Sequence, residues 1–420
     1  MTTTPPRALR RHTSSGLLCL GVAASLLAAC GSSTSTTATT LAAATDVTSA
    51  VTSAATEATT ATEATTASTA SDSTTTESTD ASAATASTTS ATDATPAATA
   101  TSATGEASTR TLAAAEALIT MLDESQKTAA VVERTAANLA QWSNFPDQIF
   151  QRAGLRMDSL NADQQKATLA VLEAALSPEG YAQVNQITAA DGVLASTEAN
   201  NPGFGADKYW IRFIGTPSAT DPWTVQFGGH HLAVNVSVVG DQMTLAPTLW
   251  GAQPASYDQS GSTVEPLAGE LSKAFALMDS LDAAQQQAAM LTTTKDLVVG
   301  PGQDGKTIAP EGVKSSTFTA DQKQLLLAEV QEWLRPLNAE NAAAKLASAE
   351  AELDQMTFAW SGSTTVGEPI YFRVQSPTFI IEFAHQGGAG PGGGTGTASI
   401  DHIHAMYREI GNDYGKLLTA

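Results

Sequence analysis

Six histidines occur in the 420 residues, and the last five are His230, His231, His385, His402 and His404. Imidazole is the commonest neutral metal ligand and the side chain that titrates nearest neutral pH. His402 and His404 stand at i, i+2, a spacing that on an extended chain puts both rings on one face about 7 Å apart. His230 and His231 are adjacent, so a strand sends them to opposite faces, His231 with Asn235 and His230 with Leu232 and Val234. Three nitrogens from His231, His402 and His404, with Glu382 or Asp401 supplying a carboxylate, would suit zinc or another first-row divalent metal. His230 and His385 are further candidate ligands, and His230, beside an apolar face, is the one most readily explained as structural. Two other readings stay open: acid-base groups lining a metal-free pocket, and histidines that satisfy backbone groups in a polar core.

Other motifs carry less chemistry. Arg408 either pairs with Asp413 or clamps an anionic substrate through its planar fork, and Glu382 is the candidate general base or ligand beside it. Gly300 to Thr307, GPGQDGKT, formally fits a P-loop, but Pro310 and Gly312 follow where a helix must begin, so a structural turn is expected and no nucleotide. No Gly-x-Ser-x-Gly elbow, HExxH helix or cysteine nucleophile is present.

The elements that must position these residues are legible as two blocks of strands among helices. Lys208 to Gly215, Trp223 to Gly228, His231 to Val239 and Gln242 to Leu249 are rich in β-branched and aromatic residues, with Gly240-Asp241 as a turn, which predicts an antiparallel meander. Phe358 to Trp360, Pro369 to Val374 and Thr378 to Phe383 predict a second block, followed by a glycine-rich loop at 387–396. Thr111 to Trp142 has helical spacing without proline. Capping boxes at Asn161-Ala-Asp-Gln164, Asp282-Ala-Ala-Gln285 and Thr319-Ala-Asp-Gln322 mark three helix starts. Their irregular spacing does not require a repeat architecture. The order implies an α+β domain, helical segments on a largely antiparallel sheet, with both strand blocks in one sheet or barrel-like core.

That single folded domain is expected from Arg110 to Ala420. Before it, residues 1–29 have a basic start, a short apolar run and Leu27-Ala28-Ala29-Cys30, the pattern of a lipoprotein signal peptide. Cleavage before Cys30 would leave it carrying diacylglyceryl and palmitate chains. Cys19 leaves with the signal, so the mature chain has no disulfide framework. Residues 30–109 are almost entirely Ser, Thr and Ala without one Lys or Arg after Gly31, which predicts a disordered tether reaching roughly 50 Å. A net charge of −21 argues against nucleic acid as a partner.

The run FGGHHLAVNVSVVGDQMTLAPTLWGAQPA, the segment GPGQDGKTIAPEG, and the ending IYFRVQSPTFIIEFAHQ with HIHAMYREIGNDYG resemble the bacterial family called domain of unknown function three-thousand-five-hundred. The resemblance covers nearly all of Arg110 to Ala420 and brings no activity with it. It implies an acidic residue in many relatives where this chain has Ala384. The reading that results is an extracytoplasmic lipoprotein, anchored to the cell membrane through Cys30, whose domain carries a histidine-lined divalent-metal site of hydrolytic type. The alternative is a non-catalytic surface module that binds a small molecule or a cell-envelope partner.

Overall fold

The computed structural model describes residues 105–198, 203–293, 296–387 and 397–420. The signal peptide, Cys30 and the tether lie outside the described residues, as does the glycine-rich loop beyond Gly387. The first half runs α1 (Glu106–Thr120), α2 (Glu124–Ala130), β1 (Val131–Val132), α3 (Ala136–Leu139), β2 (Leu155–Arg156), α4 (Ala162–Ala175), α5 (Pro178–Thr197), β3 (Tyr209–Ile214), β4 (Trp223–Gly229), β5 (Leu232–Val239), β6 (Gln242–Thr244) and β7 (Thr248–Ala252). A small hairpin, β8 (Tyr257–Gln259) and β9 (Ser262–Val264), separates it from the second. The second half runs α6 (Ala268–Ser280), α7 (Ala283–Ala289), β10 (Val313–Lys314), α8 (Ala320–Leu334), α9 (Ala339–Ala351), β11 (Thr357–Gly362), β12 (Ile370–Gln375), β13 (Phe379–Gly387) and β14 (Ala398–Glu409). No described helix is long and apolar enough to cross a membrane.

The two halves meet in one mostly antiparallel sheet, and the protein is α+β. Its strand path is β1-β3-β4-β5-β7-β14-β13-β12-β11-β10, with β2 also paired to β3. Read inward from the antiparallel pairs β2–β3 and β10–β11 the order is equivalent from either end, and among the described residues the sheet does not close into a barrel. The expected strand from Gln242 to Leu249 is two: β6 pairs with the end of β5 and β7 with its start, the break falling at Leu245–Pro247. Pro247 has no N–H to give a ladder, which fits its place between them.

The mirrored order points to an internal duplication, a possibility that the irregular spacing of the three capping boxes left open. Each half has two capping-box helices clasped together by glutamines. Asp123 and Asn161 cap α2 and α4, and Asp282 and Thr319 cap α7 and α8. Gln164 Nε2 donates to the Met121 carbonyl and to Gln126, while Gln322 Nε2 donates to the Ser280 carbonyl and to Gln285. The ends of α4 and α8 touch through a bridge between Leu176 and Leu337.

Alternation divides the sheet into two unlike faces. One face, with Phe213, Phe227, Val234, Val236, Trp250, Ala405, Phe383, Phe372 and Trp360, packs on Leu118, Leu172, Ile187, Met278, Leu326 and Trp333 of the helices as the main core. The other face carries Arg212, Gln226, Asn235, Glu382, Arg373 and Arg408 beside a smaller apolar cluster of Ile214, Ala233, Leu249, Ile380 and Met406, and is covered by chain crossing it at Leu139, Trp142, Val299 and Tyr414. Buried charge there needs partners. The crossing segments supply them: Arg212 donates to the Asn138 and Gln141 carbonyls, and Arg408 to those of Val299 and Gly300.

Candidate metal centre

His402 and His404 sit near the start of β14 on the polar face, and His231 sits in the two-residue turn between β4 and β5. The register places these side by side, because His404 pairs with Gly251 on β7 and β7 in turn pairs with β5 at Leu232. His231 Nε2 lies 2.8 Å from His402 Nε2, which lies 3.1 Å from His404 Nε2. One donor atom from each of the three falls within 4.8 Å of the others. A tetrahedral ion with metal–nitrogen bonds of about 2.0–2.1 Å needs nitrogens about 3.3 Å apart. The His402–His404 separation is close to that value, and the His231–His402 separation would have to open by about 0.5 Å to admit an ion.

The electrostatics suit ligation. Burial first, and then the mutual repulsion of the neighbouring histidines, holds His231 and His404 well below the ordinary imidazole range, and burial with His230 nearby pushes His402 down to about 4. Three rings kept neutral present lone pairs at neutral pH without first releasing protons. The Gly387 backbone acts on His402 in the opposite sense, favouring its protonated form.

Supporting residues come from three further places. The Asn144 amide, on the segment that crosses the polar face, is 3.2 Å from His404 ring nitrogens, and the Asn144 carbonyl accepts from the His231 amide. Gly251 leaves the space the His404 ring occupies: a Cβ there would stand 3.2 Å from His404 Cδ2 and 2.7 Å from the Ile403 carbonyl. Asp191, reaching from α5 at the end of the sheet, bonds His230 Nδ1 at 2.6 Å through Oδ1 and accepts from the Gly205 amide through Oδ2. His230 also stacks on Phe204 and on His231, with ring centroids 4.6 and 3.6 Å away. Asp191, Asn144 and Gly251 were not foreseen; the one local signal was an Asp inside the apolar run Ile187 to Leu194.

Four expected participants belong elsewhere. His385 pairs with Ile403, so it stands on the face opposite His402 and His404, where Nδ1 accepts from the Ile370 amide at 3.0 Å and burial lowers it to about 4. Asp401, one residue from His402, also points away, is exposed, and accepts from the Ala255 amide. Glu382 is on the polar face, but both its oxygens are taken by the Val298 and Val299 amides and the Tyr371 hydroxyl. Arg408 binds Asp304, Asp413 and two carbonyls, so its guanidinium anchors the crossing loop at Gly300 and holds no fork free for a substrate. That loop, the formal P-loop segment, starts no helix; Lys306 Nζ turns back to the Val298 carbonyl.

Ala384 faces His404 directly across β13 and β14. An acidic residue at that position would enter the histidine cluster; here the facing side chain is a methyl group. A cleft of about 690 Å³ lies apart from the histidines, in the helical layer between Ser177, Leu334, Leu337 and Leu346.

No curated protein and no solved structure matches the chain. A family model described as "Protein of unknown function (DUF3500)" matches residues 104–416, which includes every residue of the histidine cluster. The chain belongs to that family.

Proposed function

We propose that this protein is a metal-binding domain with a three-histidine centre, His231, His402 and His404, and that the centre is of the hydrolytic type. The observation that carries the reading is the convergence of three Nε2 atoms at 2.8 and 3.1 Å, contributed by segments far apart in sequence. Three protein ligands with the fourth position left to water or substrate is the arrangement of catalytic rather than structural zinc sites. A bound ion of this class supplies Lewis acidity toward water or a carbonyl or phosphoryl oxygen. The chain's part is to hold the three rings neutral, to fix His404 between Asn144 and Gly251, and to leave His404, the least buried of the three, toward solvent. The signal-like start and Cys30 support placing this domain on the extracytoplasmic face of a membrane through a lipid anchor.

The test is metal analysis of the purified chain. Stoichiometric Zn, Cu, Mn or Fe is expected, with the ion of this centre lost in His402→Ala and His404→Ala. Absence of bound metal, together with no shift in melting temperature on adding any of these ions, would count decisively against the centre. A second reading, a non-catalytic module for a small molecule, is favoured by the cleft in the helical layer, whose size falls in the range of ligand sites.

A further inference from the structure

His231 has two ring nitrogens, and the three-histidine cluster uses one. Nε2 faces His402, whereas Nδ1 is buried with no hydrogen-bond partner among the described residues. A metal-bound imidazole ordinarily donates its other N–H to a carbonyl, a carboxylate or water. An orphaned buried N–H costs about 1–3 kcal/mol. Against His231 lies His230, held by Asp191, and one donor atom from each of Asp191, His230 and His231 falls within 4.8 Å of the other two. All three residues are buried. Two imidazole nitrogens and a carboxylate oxygen form a donor set for a first-row metal in its own right.

The backbone carries the same signal. His231 sits at φ 62°, in the left-handed region that costs an ordinary L-residue roughly 1–2 kcal/mol and is usually left to glycine. Glycines stand immediately before the pair, at 228 and 229, yet the left-handed position of the turn holds a histidine. Such outliers persist where the surroundings over-determine them, commonly at functional sites.

We propose that Asp191, His230 and His231 form a second cation site, and that His231 serves both: Nε2 toward the ion held with His402 and His404, Nδ1 toward an ion held with Asp191 and His230. The proposal rests on reading the three-histidine cluster as a metal site. Joining two divalent ions through one neutral imidazole removes its single N–H proton, which passes to solvent, so the ring bridges as an anion. Two metal–nitrogen bonds of about 2 Å and the width of the ring set the ions about 6 Å apart. That is wider than the roughly 3.5–4 Å of centres in which two ions clamp one substrate oxygen. The second ion therefore positions and tunes the first, and does not share its substrate.

The experiment loads the metal-free full-length chain with Zn(II), removes excess ion, and counts Zn per chain by mass spectrometry of the elements. Two are expected in the wild type, one in Asp191→Asn, one in His402→Ala and none in His231→Ala. A parallel Cu(II) loading is read by electron paramagnetic resonance, where two bridged ions couple and give far less signal than two isolated ones. One Zn per wild-type chain overturns the shared centre. If that ion survives Asp191→Asn and disappears in His402→Ala, the three-histidine site stands alone, and the converse pattern removes that site too. No Zn overturns both readings, and two Cu(II) ions with full uncoupled intensity overturn the sharing of His231. The wild-type count and spectrum do not depend on any variant folding.

Discussion

A side chain at residue 251 would meet the Ile403 carbonyl oxygen, the His231 carbonyl oxygen and the His404 ring at once, at 2.7, 3.2 and 3.2 Å from its Cβ. The closest contact is with backbone of β14 and moving the ring does not relieve it, so β14 must shift against β7 and carry His404 with it. Gly251→Val is therefore expected to weaken Zn(II) binding by about 10–100-fold, the usual penalty for disturbing a ligand's support, as read by competition against a chromogenic chelator. Unchanged affinity would show that His404 is not a ligand. At this scale the sequence was informative where chemistry is local. The i, i+2 spacing of His402 and His404 put them on one face, whereas the expected separation of His230 and His231 to opposite strand faces does not hold, because the pair forms the β4–β5 turn and their ring centroids lie 3.6 Å apart. Placing His385 needed the register of β13 on β14, which shifts between His385 and Gly387. Asp191 and Asn144 meet their histidines only after α5 and the crossing segment fold onto the sheet.

The helices depend on clasped capping boxes, and the duplication makes a comparison available. Gln164 and Gln322 each close their own box, reach the partner glutamine and donate to the carbonyl ending the preceding helical segment. Gln164→Ala and Gln322→Ala should each cost about 1–2 kcal/mol in denaturant melts, nearly equally in the two halves. A clear inequality would mean that the halves no longer share their energetics. Between α5, α6 and α8 lies a different device. Glu270 is fully buried, accepts from Gln183 at 2.7 Å with one oxygen, and is raised by burial to about 7. A carboxyl raised in the fold contributes stability that is complete below its unfolded value and is lost as pH climbs through the folded one. Glu270→Gln should then stabilise the protein by roughly 3 kcal/mol at pH 8 and hardly at all near pH 4, measured by urea unfolding at both. Most helices and strands were legible from caps and β-branched runs. The box at Asp123 was equally readable as Asp-x-x-Gln, and its omission hid the fourfold pattern that betrays the repeat. The break at Pro247 and the edge strands β1, β2 and β10 of two residues each are set by pairing rather than by local sequence.

At the scale of the molecule, the axis of the duplication runs between β7 and β14, and the histidine centre lies at one end of that seam. Each half supplies what the other lacks: the β4–β5 turn brings His230 and His231, and β14 brings His402 and His404. The equivalent turn in the second half, Ser376 to Thr378, has no histidine, so one end of the seam became a site and the other did not. There the acidic residue after α9, Glu352, bonds Thr378 Oγ1 at 2.8 Å, the counterpart of Asp191 on His230. A fragment ending at Val264 keeps α1 to α5 and the sheet from β3 to β7 but leaves the edge of β7 uncovered. Unpaired edges recruit other strands, and a surface that already pairs about a pseudo-two-fold has a ready partner in a second copy of itself. The fragment is expected to be a dimer by light scattering, closed across β7, and to bind no Zn(II) through the three-histidine set because His402 and His404 are missing. A monodisperse monomer would place the stability of the first half within its own helices and remove β7–β14 pairing as the contact that holds the two halves together.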